Sequence, residues 1–500
     1  MPDLMIRMRG GERTTLAMGE LDRFASTLRG DLVLRDAPPY EDARRIWNRM
    51  VERRPALIAR CRSAGDVVRT IRFAREHDLL ISVRGGGHNI AGNALADEGL
   101  TIDVGPMRAT RVEPVRRIVR TEAGITLGDF DRDTQTFALA TPLGINSTTG
   151  IAGLTLGGGY GWLSRSHGLT VDNLISADVV TADGALLTAS EEENSDLFWA
   201  LRGGGGNFGV VTSFEYRLHR VGPEVLAGII VHPFANAGEL LRRYRDVVQA
   251  APDALTAWLI MRKAPPLPFL PESVHGQEVV VLAVCYTGDL AAGERALRPL
   301  RGIGTPHADV VGPTPYVAFQ TAFDPLLTSG ARNYWKTHNF TTLDDALIDT
   351  LVEKAAELPG PQSEIFLAHL GGAVSRKPDD STAYMGRGAQ FVMNVHARWE
   401  DDGMDGNFIT WAREVYAAAA PFASGGAYVN FLTQEEQGRV RDAYGSNYAR
   451  LAAIKAKYDP SNVFRVNQNI APAPAAAAAP PTIGRTAPAT APADAMRPPR

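Results

Sequence analysis

A chain of 500 residues exceeds what a single compact core usually holds, so either two domains are expected or one large cofactor domain carrying a second lobe. Its 45% apolar and 22% charged residues are ordinary for a water-soluble protein, and a net charge of -4 gives no basic footprint for nucleic acid. Cys61 and Cys285 are too few and too far apart for a disulfide framework or a thiolate metal site, and both read as buried small hydrophobes. The histidines show no metal-ligand spacing, so no metal is expected. Met1 to Thr27 lacks the apolar core of a secretory signal and no apolar run reaches membrane-spanning length, which makes the cytoplasm the expected location.

In chain order, Ser63 and Asp66 form a capping-box pattern that predicts a helix with Val67, Ile71 and Ala74 on one face. Leu79 to Val83 reads as a buried strand that runs directly into Arg84-Gly85-Gly86-Gly87-His88. Thr101 to Val104 is a further short strand, and Thr126 with Asp129 caps a helix expected to reach about Phe137. Gly, Ser and Thr crowd Asn146 to Gly161, then comes a strand at Ser176 to Thr181, a turn at Asp183-Gly184 and a third glycine run at Gly203 to Gly206. After Arg220 the texture changes to strands and longer helices: Leu226 to His232, helix Ala237 to Gln249, Thr256 to Met261, Glu278 to Tyr286 and helix Asp344 to Leu358.

Further on, Phe391 to Trp399 alternates as a strand, with Asn394, His396 and Arg398 on the polar face. That face either lines a cavity or meets solvent. Ala427 to Phe431 alternates likewise and pairs Tyr428 with Asn430. Tyr444 to Tyr458 reads as an amphipathic helix stopped by Asp459-Pro460, and the Ala/Pro/Thr-rich tail from Ala471 to Arg500 reads as disordered.

Glycine lets backbone approach a ligand closely, and successive N–H groups form anion nests, so three such loops suit a pyrophosphate, although each alone is equally consistent with a plain turn. The first loop is followed by a strand and not by a helix with an acidic residue beyond it, which argues against a nicotinamide dinucleotide fingerprint.

Ile81-Ser82-Val83-Arg84-Gly85-Gly86-Gly87-His88-Asn89 resembles the histidine loop of the FAD-linked oxidases that include the berberine bridge enzyme and 6-hydroxy-D-nicotine oxidase. Gly157-Gly158-Gly159-Tyr160-Gly161 with His167 to Asn173, Leu201-Arg202-Gly203 with Asn207 to Thr212, and Lys457 to Arg465 with Asn467 to Ile470 resemble that family's second, third and closing motifs in the same order. Four ordered motifs across about residues 40 to 470 are far more specific than one.

The resemblance implies an α+β fold: a two-lobed FAD-binding domain of the PCMH type, a substrate domain whose mixed sheet is covered by helices, and a C-terminal segment returning to the FAD domain. The corresponding divisions are an N-terminal extension 1–39, the FAD domain 40–221, the substrate domain 222–431 and the closing segment 432–470. It assigns to FAD the first-loop residues Arg84, Gly85, Gly86, Gly87, His88, Asn89 and Gly92. Around the second loop it adds Thr148, Gly150, Gly153, Gly157, Gly158, Gly159, Tyr160, Gly161 and Asn173, with Val211, Asn467 and Asn469 from the later motifs.

In this family the loop histidine carries the flavin covalently, so His88 is the expected attachment point. Some members add a second link through a cysteine; Asn146 stands at that position here, so a single attachment is expected. For substrate deprotonation Tyr428 is the first candidate, provided that a cation or proton acceptor lowers its ordinary pKa of about 10. A tyrosine that only packs its ring is the structural alternative. Asn394, near the place of an acidic base in the berberine bridge enzyme, can only orient substrate, and His396 shares its face. Tyr334-Trp335-Lys336 resembles a segment at the edge of the substrate lobe, with core packing as its leading role. His167 and Tyr160 are expected to touch the flavin or pack beneath it. The implied reaction is oxidation of a small alcohol, amine or sugar-like molecule, with O2 as electron acceptor and H2O2 as product; a dehydrogenase using another acceptor and a non-catalytic flavin carrier are the alternatives.

Overall fold

The computed structural model describes residues 3–474, so most of the tail read as disordered lies outside the described residues. A hairpin of β1 (Leu4–Arg7) and β2 (Arg13–Leu16) precedes a four-stranded sheet of β3 (Asp31–Leu34), β4 (Leu57–Arg60), β5 (Ile81–Arg84) and β6 (Leu100–Asp103), in the order β3-β4-β6-β5. The central pairings β4/β6 and β6/β5 are parallel, as the helix Ala64–Glu76 between β4 and β5 permits. Ser63 caps that helix by accepting the Asp66 N–H at 3.2 Å.

The second sheet comprises β7 (Thr110–Glu113), β8 (Ile118–Glu122), β10 (Leu174–Val180), β11 (Leu186–Ser190) and β12 (Val210–Arg217), antiparallel in the order β11-β10-β12-β8-β7. Between them β9 (Leu139–Ala140) pairs with β13 (His219–Arg220). The third sheet contains β14 (Glu224–Pro233), β15 (Leu255–Lys263), β16 (Glu278–Tyr286), β17 (Ala308–Asp309), β18 (Gly312–Pro315), β19 (Arg332–Phe340), β20 (Glu364–His369) and β21 (Phe391–Trp399). Its order is β17-β14-β16-β15-β20-β21-β19, with β18 also on β14.

Period-2 alternation gives the third sheet two different faces. On one, Leu259, Leu367, Met393 and Val395 form a core with Leu241, Leu347, Leu351 and Trp411 of the helices Ala237–Gln249, Asp345–Ala355 and Asp405–Ala419. On the other, Trp258, Ile260 and Val392 pack with Tyr160, Trp162 and Tyr428 from segments before and after the sheet. The closing helix Tyr448–Tyr458 returns to the first core, where Leu451, Ile454, Phe464 and Ile470 meet Leu57, Ile102 and Phe198. Among the described residues no helix is long and apolar enough to cross a membrane.

The N-terminal extension packs on the first core: Ile6, Leu16, Leu21 and Phe24 belong to it, and the Asp66 carboxylate accepts the N–H groups of Arg29 and Gly30. Two expectations need correction. Ala427 to Phe431 is not a strand, because its alternation meets no partner strand; Val429–Phe431 winds instead into a single 3-10 turn. The last helix begins at Tyr448 and not at Tyr444, since Gly445, with φ +47°, breaks the chain into two helices joined by one turn.

Candidate active site

Strand β5 delivers the first glycine loop to the edge of a cavity of about 330 Å³ between the first two sheets and the polar face of the third. Gly85, Gly86, Gly87, His88 and Asn89 line it beside Gly150 and Gly153, and Gly205, Gly206, Val211 and Asn467 line it farther along. The His88 imidazole is fixed at both nitrogens: Nε2 lies 2.9 Å from Thr148 Oγ1 and Nδ1 3.4 Å from Thr149 Oγ1. Trp47 stacks on the ring at 5.3 Å and an interplanar angle of 20°. Desolvation pushes the imidazole down to about 4 against a smaller upward effect of the Thr148 backbone, so the ring is neutral near pH 7 and keeps a nucleophilic lone pair.

The roof is a row of side chains in direct cross-strand register: Arg262 on β15 opposite Glu364 on β20, Glu364 opposite His396 on β21, and His396 opposite Trp335 on β19. Directly opposed residues share a sheet face, so all four point the same way. Arg262 Nη1 donates to Glu364 Oε2 at 2.9 Å, and Glu364 Oε1 lies 3.6 Å from His396 Nδ1. Burial alone would raise the Glu364 carboxyl, but Arg262, His396 and Arg398 outweigh it and hold the group below its ordinary range. The next row places Phe366 opposite Asn394. Asn394 Oδ1 and Trp335 Nε1 are buried without hydrogen-bond partners, as polar groups awaiting a ligand would be.

Tyr428, Tyr160 and Phe431 close the side wall, with Tyr160 and Tyr428 at 5.0 Å and Tyr428 and Phe431 at 4.9 Å between ring centres. Tyr428 Oη accepts from Asn430 Nδ2 at 3.0 Å. Among the described residues no cation accompanies it: burial pushes the phenol up to about 12, only partly offset by Asn430 and the Gly159 N–H. With the phenol raised in this way, its hydroxyl stays protonated near neutral pH.

The cavity therefore unites Gly85, Gly86, Gly87, His88, Asn89, Gly150, Gly153, Tyr160, Val211, Asn467, Tyr428, Asn394 and His396. Thr148 reaches it through His88, while Arg84 lies against a neighbouring cleft with Arg60 and Asp103. Other expected residues face protein. A Cβ on Gly157 would meet the Asn430 side chain, one on Gly158 the Tyr384 ring, one on Gly159 Thr170 and one on Gly161 the Leu143 carbonyl, so each of these positions needs glycine for its close approach to protein. Gly92 packs on Val51, and Asn469 keeps a buried Oδ1 outside the cavity lining. Asn173 donates to the carbonyls of His167 and Leu169, and His167 stacks on His219 at 3.8 Å, away from the cavity.

Sequence reasoning missed Trp47, Trp258 and Glu364, and it favoured core packing for Trp335, which lines the cavity. Gly205 and Gly206 lay within a recognised glycine run but were not singled out. No local pattern marks Glu364 or Trp47.

Residues 55–190 match the family described as "FAD binding domain", and residues 427–471 match "Berberine and berberine like". The chain is 30% identical over 458 residues to an FAD-linked oxidoreductase of Dictyostelium discoideum, covering 90% of this chain and 97% of that one. It is 31% identical to (R)-6-hydroxynicotine oxidase of Paenarthrobacter nicotinovorans, over 89% of this chain and 97% of that enzyme. Among solved structures, 6-hydroxy-D-nicotine oxidase from Arthrobacter nicotinovorans superposes with a TM-score of 0.80 at 29% identity, covering 89% of this chain and 98% of that one. Xylooligosaccharide oxidase from Myceliophthora thermophila shares the fold with a TM-score of 0.79 at 23% identity, covering 91% of this chain and 99% of that one.

The fold and site define an FAD-binding oxidoreductase. In particular, the chain belongs to the FAD-linked oxidoreductases with a berberine-like C-terminal segment. The residues present fit FAD: glycines 85–87, 205 and 206 offer close backbone approach, Asn467 keeps a buried, unpartnered Oδ1, and aromatic walls suit a flat ring system.

Proposed function

We propose that the protein is an oxidase of a small organic molecule, an alcohol, amine or sugar-like compound, that carries FAD on a single covalent bond from His88. The observation that carries this reading is the neutral His88 ring, oriented by two threonines in the same cavity as the glycine loops. Neither Cys61 nor Cys285 lines the cavity, and Asn146 stands where a second link would need sulfur, which supports a single attachment. Bound there, FAD supplies the two-electron acceptor, and re-oxidation by O2 gives H2O2.

This chain's own residues do the rest. Residues 40–221 and 432–470 hold the cofactor, and residues 222–431 present the roof under which substrate sits. Trp335, Trp258, Phe366 and Phe431 enclose a flat or cyclic substrate and exclude water, while Asn394 orients it through its free carbonyl oxygen. Two buried free thiols suit a reducing compartment, and we place the protein in the cytoplasm. Denaturing the purified protein tests the attachment: the yellow colour stays with the chain, and peptide mass spectrometry finds flavin on His88 alone. Peroxide release on a substrate panel identifies the reaction, and turnover only with an artificial acceptor would replace oxidase by dehydrogenase.

A further inference from the structure

Among the residues lining the cavity, Glu364 is the single carboxylate, and its neighbour His396 has a determined tautomer. Asn333 settles that tautomer. Its Nδ2 donates to the Ala331 carbonyl at 2.9 Å, and its Oδ1 accepts from Arg398 Nη1 at 3.1 Å. A flipped amide would set two donors against each other, because a guanidinium has no acceptor. The atom 3.0 Å from His396 Nε2 is therefore an oxygen, and Nε2 must carry the ring proton. In the neutral ring the other nitrogen, Nδ1, then carries the lone pair, and it faces Glu364 Oε1 at 3.6 Å. That separation is too long for a direct hydrogen bond, and with the ring neutral both atoms are acceptors. Together they form a notch that lacks a donor.

We propose that this notch receives the reacting O–H or N–H of the substrate, and that His396 Nδ1 takes its proton while Glu364 acts as the positioning counter-charge. The substrate's O–H or N–H bond breaks and leaves its electron pair on the substrate atom, an N–H bond forms at Nδ1, and the resulting imidazolium pairs with the Glu364 carboxylate. The adjacent substrate carbon is oxidised by two electrons, the oxidant being the flavin of the preceding reading, on which this proposal rests. The charged groups that face His396 are Glu364 on β20, Arg262 on β15 and Arg398 on its own strand, while Trp335 packs edge-on at 5.2 Å. Burial and the two arginines favour the neutral ring, and Glu364 favours the imidazolium, a balance suited to a group that must start empty and then hold a proton. The assignment displaces Tyr428, whose hydroxyl has no comparable partner.

The test is a two-bond proton–nitrogen correlation spectrum of the full-length, flavin-loaded protein labelled with 15N-histidine, from about pH 5 to about pH 9. His396→Gln identifies the signal. The expected spectrum near neutral pH shows Nε2 protonated and Nδ1 bare, and Glu364→Gln lowers the protonation midpoint by about one pH unit or more. A proton on Nδ1 at neutral pH, or a midpoint unmoved by Glu364→Gln, overturns the proposal. The wild-type tautomer decides even where a variant fails to fold. Flavin retention is read separately from colour, so loss of the chromophore counts against the cofactor reading and not against the notch.

Discussion

Gly86 and Gly150 meet backbone to backbone: a Cβ on either would lie 2.2 Å from the amide nitrogen of the other. The first glycine loop and the turn before the helix Ile151–Leu156 are thereby pressed together directly beside His88 and its threonine partners. Backbone cannot rotate away as a side chain can, so this contact sets where the imidazole stands.

Gly86→Ala and Gly150→Ala are each expected to destabilise the protein by about 2 kcal/mol, a typical overpacking cost, and to lower flavin content more than Gly406→Ala, which lies outside the cavity and where no atom lies within 4 Å of the added carbon. Thermal melts and the flavin-to-protein absorbance ratio check this.

His88→Ala should fold with nearly unchanged Tm, since the ring is half-buried and bonds only to two hydroxyls. Its flavin should be released on acid precipitation, whereas that of the parent stays in the pellet. Retention by the variant would move the attachment elsewhere.

Tyr428→Phe is expected to lower kcat/KM by about tenfold or less, the worth of one hydrogen bond, and to leave the acid limb of the pH profile in place. A phenol pushed up to about 12 does not titrate in that range. Loss of the acid limb would restore Tyr428 as the base.

Asp131 is buried, with Gln320 Nε2 donating to one oxygen at 2.8 Å and the other oxygen unpartnered. Burial pushes its carboxyl up to about 7. Between about pH 4, where the unfolded group ionises, and about pH 7 the folded state binds the extra proton, so stability falls as pH rises through that window. Asp131→Asn should melt higher than the parent at about pH 8 and equal it near pH 4. A gap independent of pH would contradict the ionisation.

Lys455 and Asp459 are fully buried and ion-paired at 2.6 Å, and Lys455 also donates to the Asn207 and Phe464 carbonyls. This clamp ties the third glycine run to the closing segment. Lys455→Met leaves a buried carboxylate unpaired and should cost about 3–5 kcal/mol, read as a fall in Tm with loss of flavin.

The legible part of this protein is the part carried by contiguous residues. Helix Ala237–Gln249 and strands Glu278–Tyr286 and Phe391–Trp399 match their sequence patterns to the residue, because an apolar pattern sustained over 9 to 13 positions encodes what is buried. Val429–Phe431 misled because five alternating residues specify no strand without a neighbour to pair with.

The amino-acid order alone determined that a glycine loop ends in His88, that Asn394 and His396 share a strand face, and that no cysteine stands near the second loop. Only the tertiary structure decided that Glu364 completes the roof: its partner Arg262 lies 102 residues away, and sheet register brings them opposite each other. It also decided that Trp47 stacks on His88 and that the glycines at 157–161 pack against protein. Local periodicity fixes the direction in which a side chain points, but its neighbours depend on which strands pair and in what register, a free energy summed over the whole core.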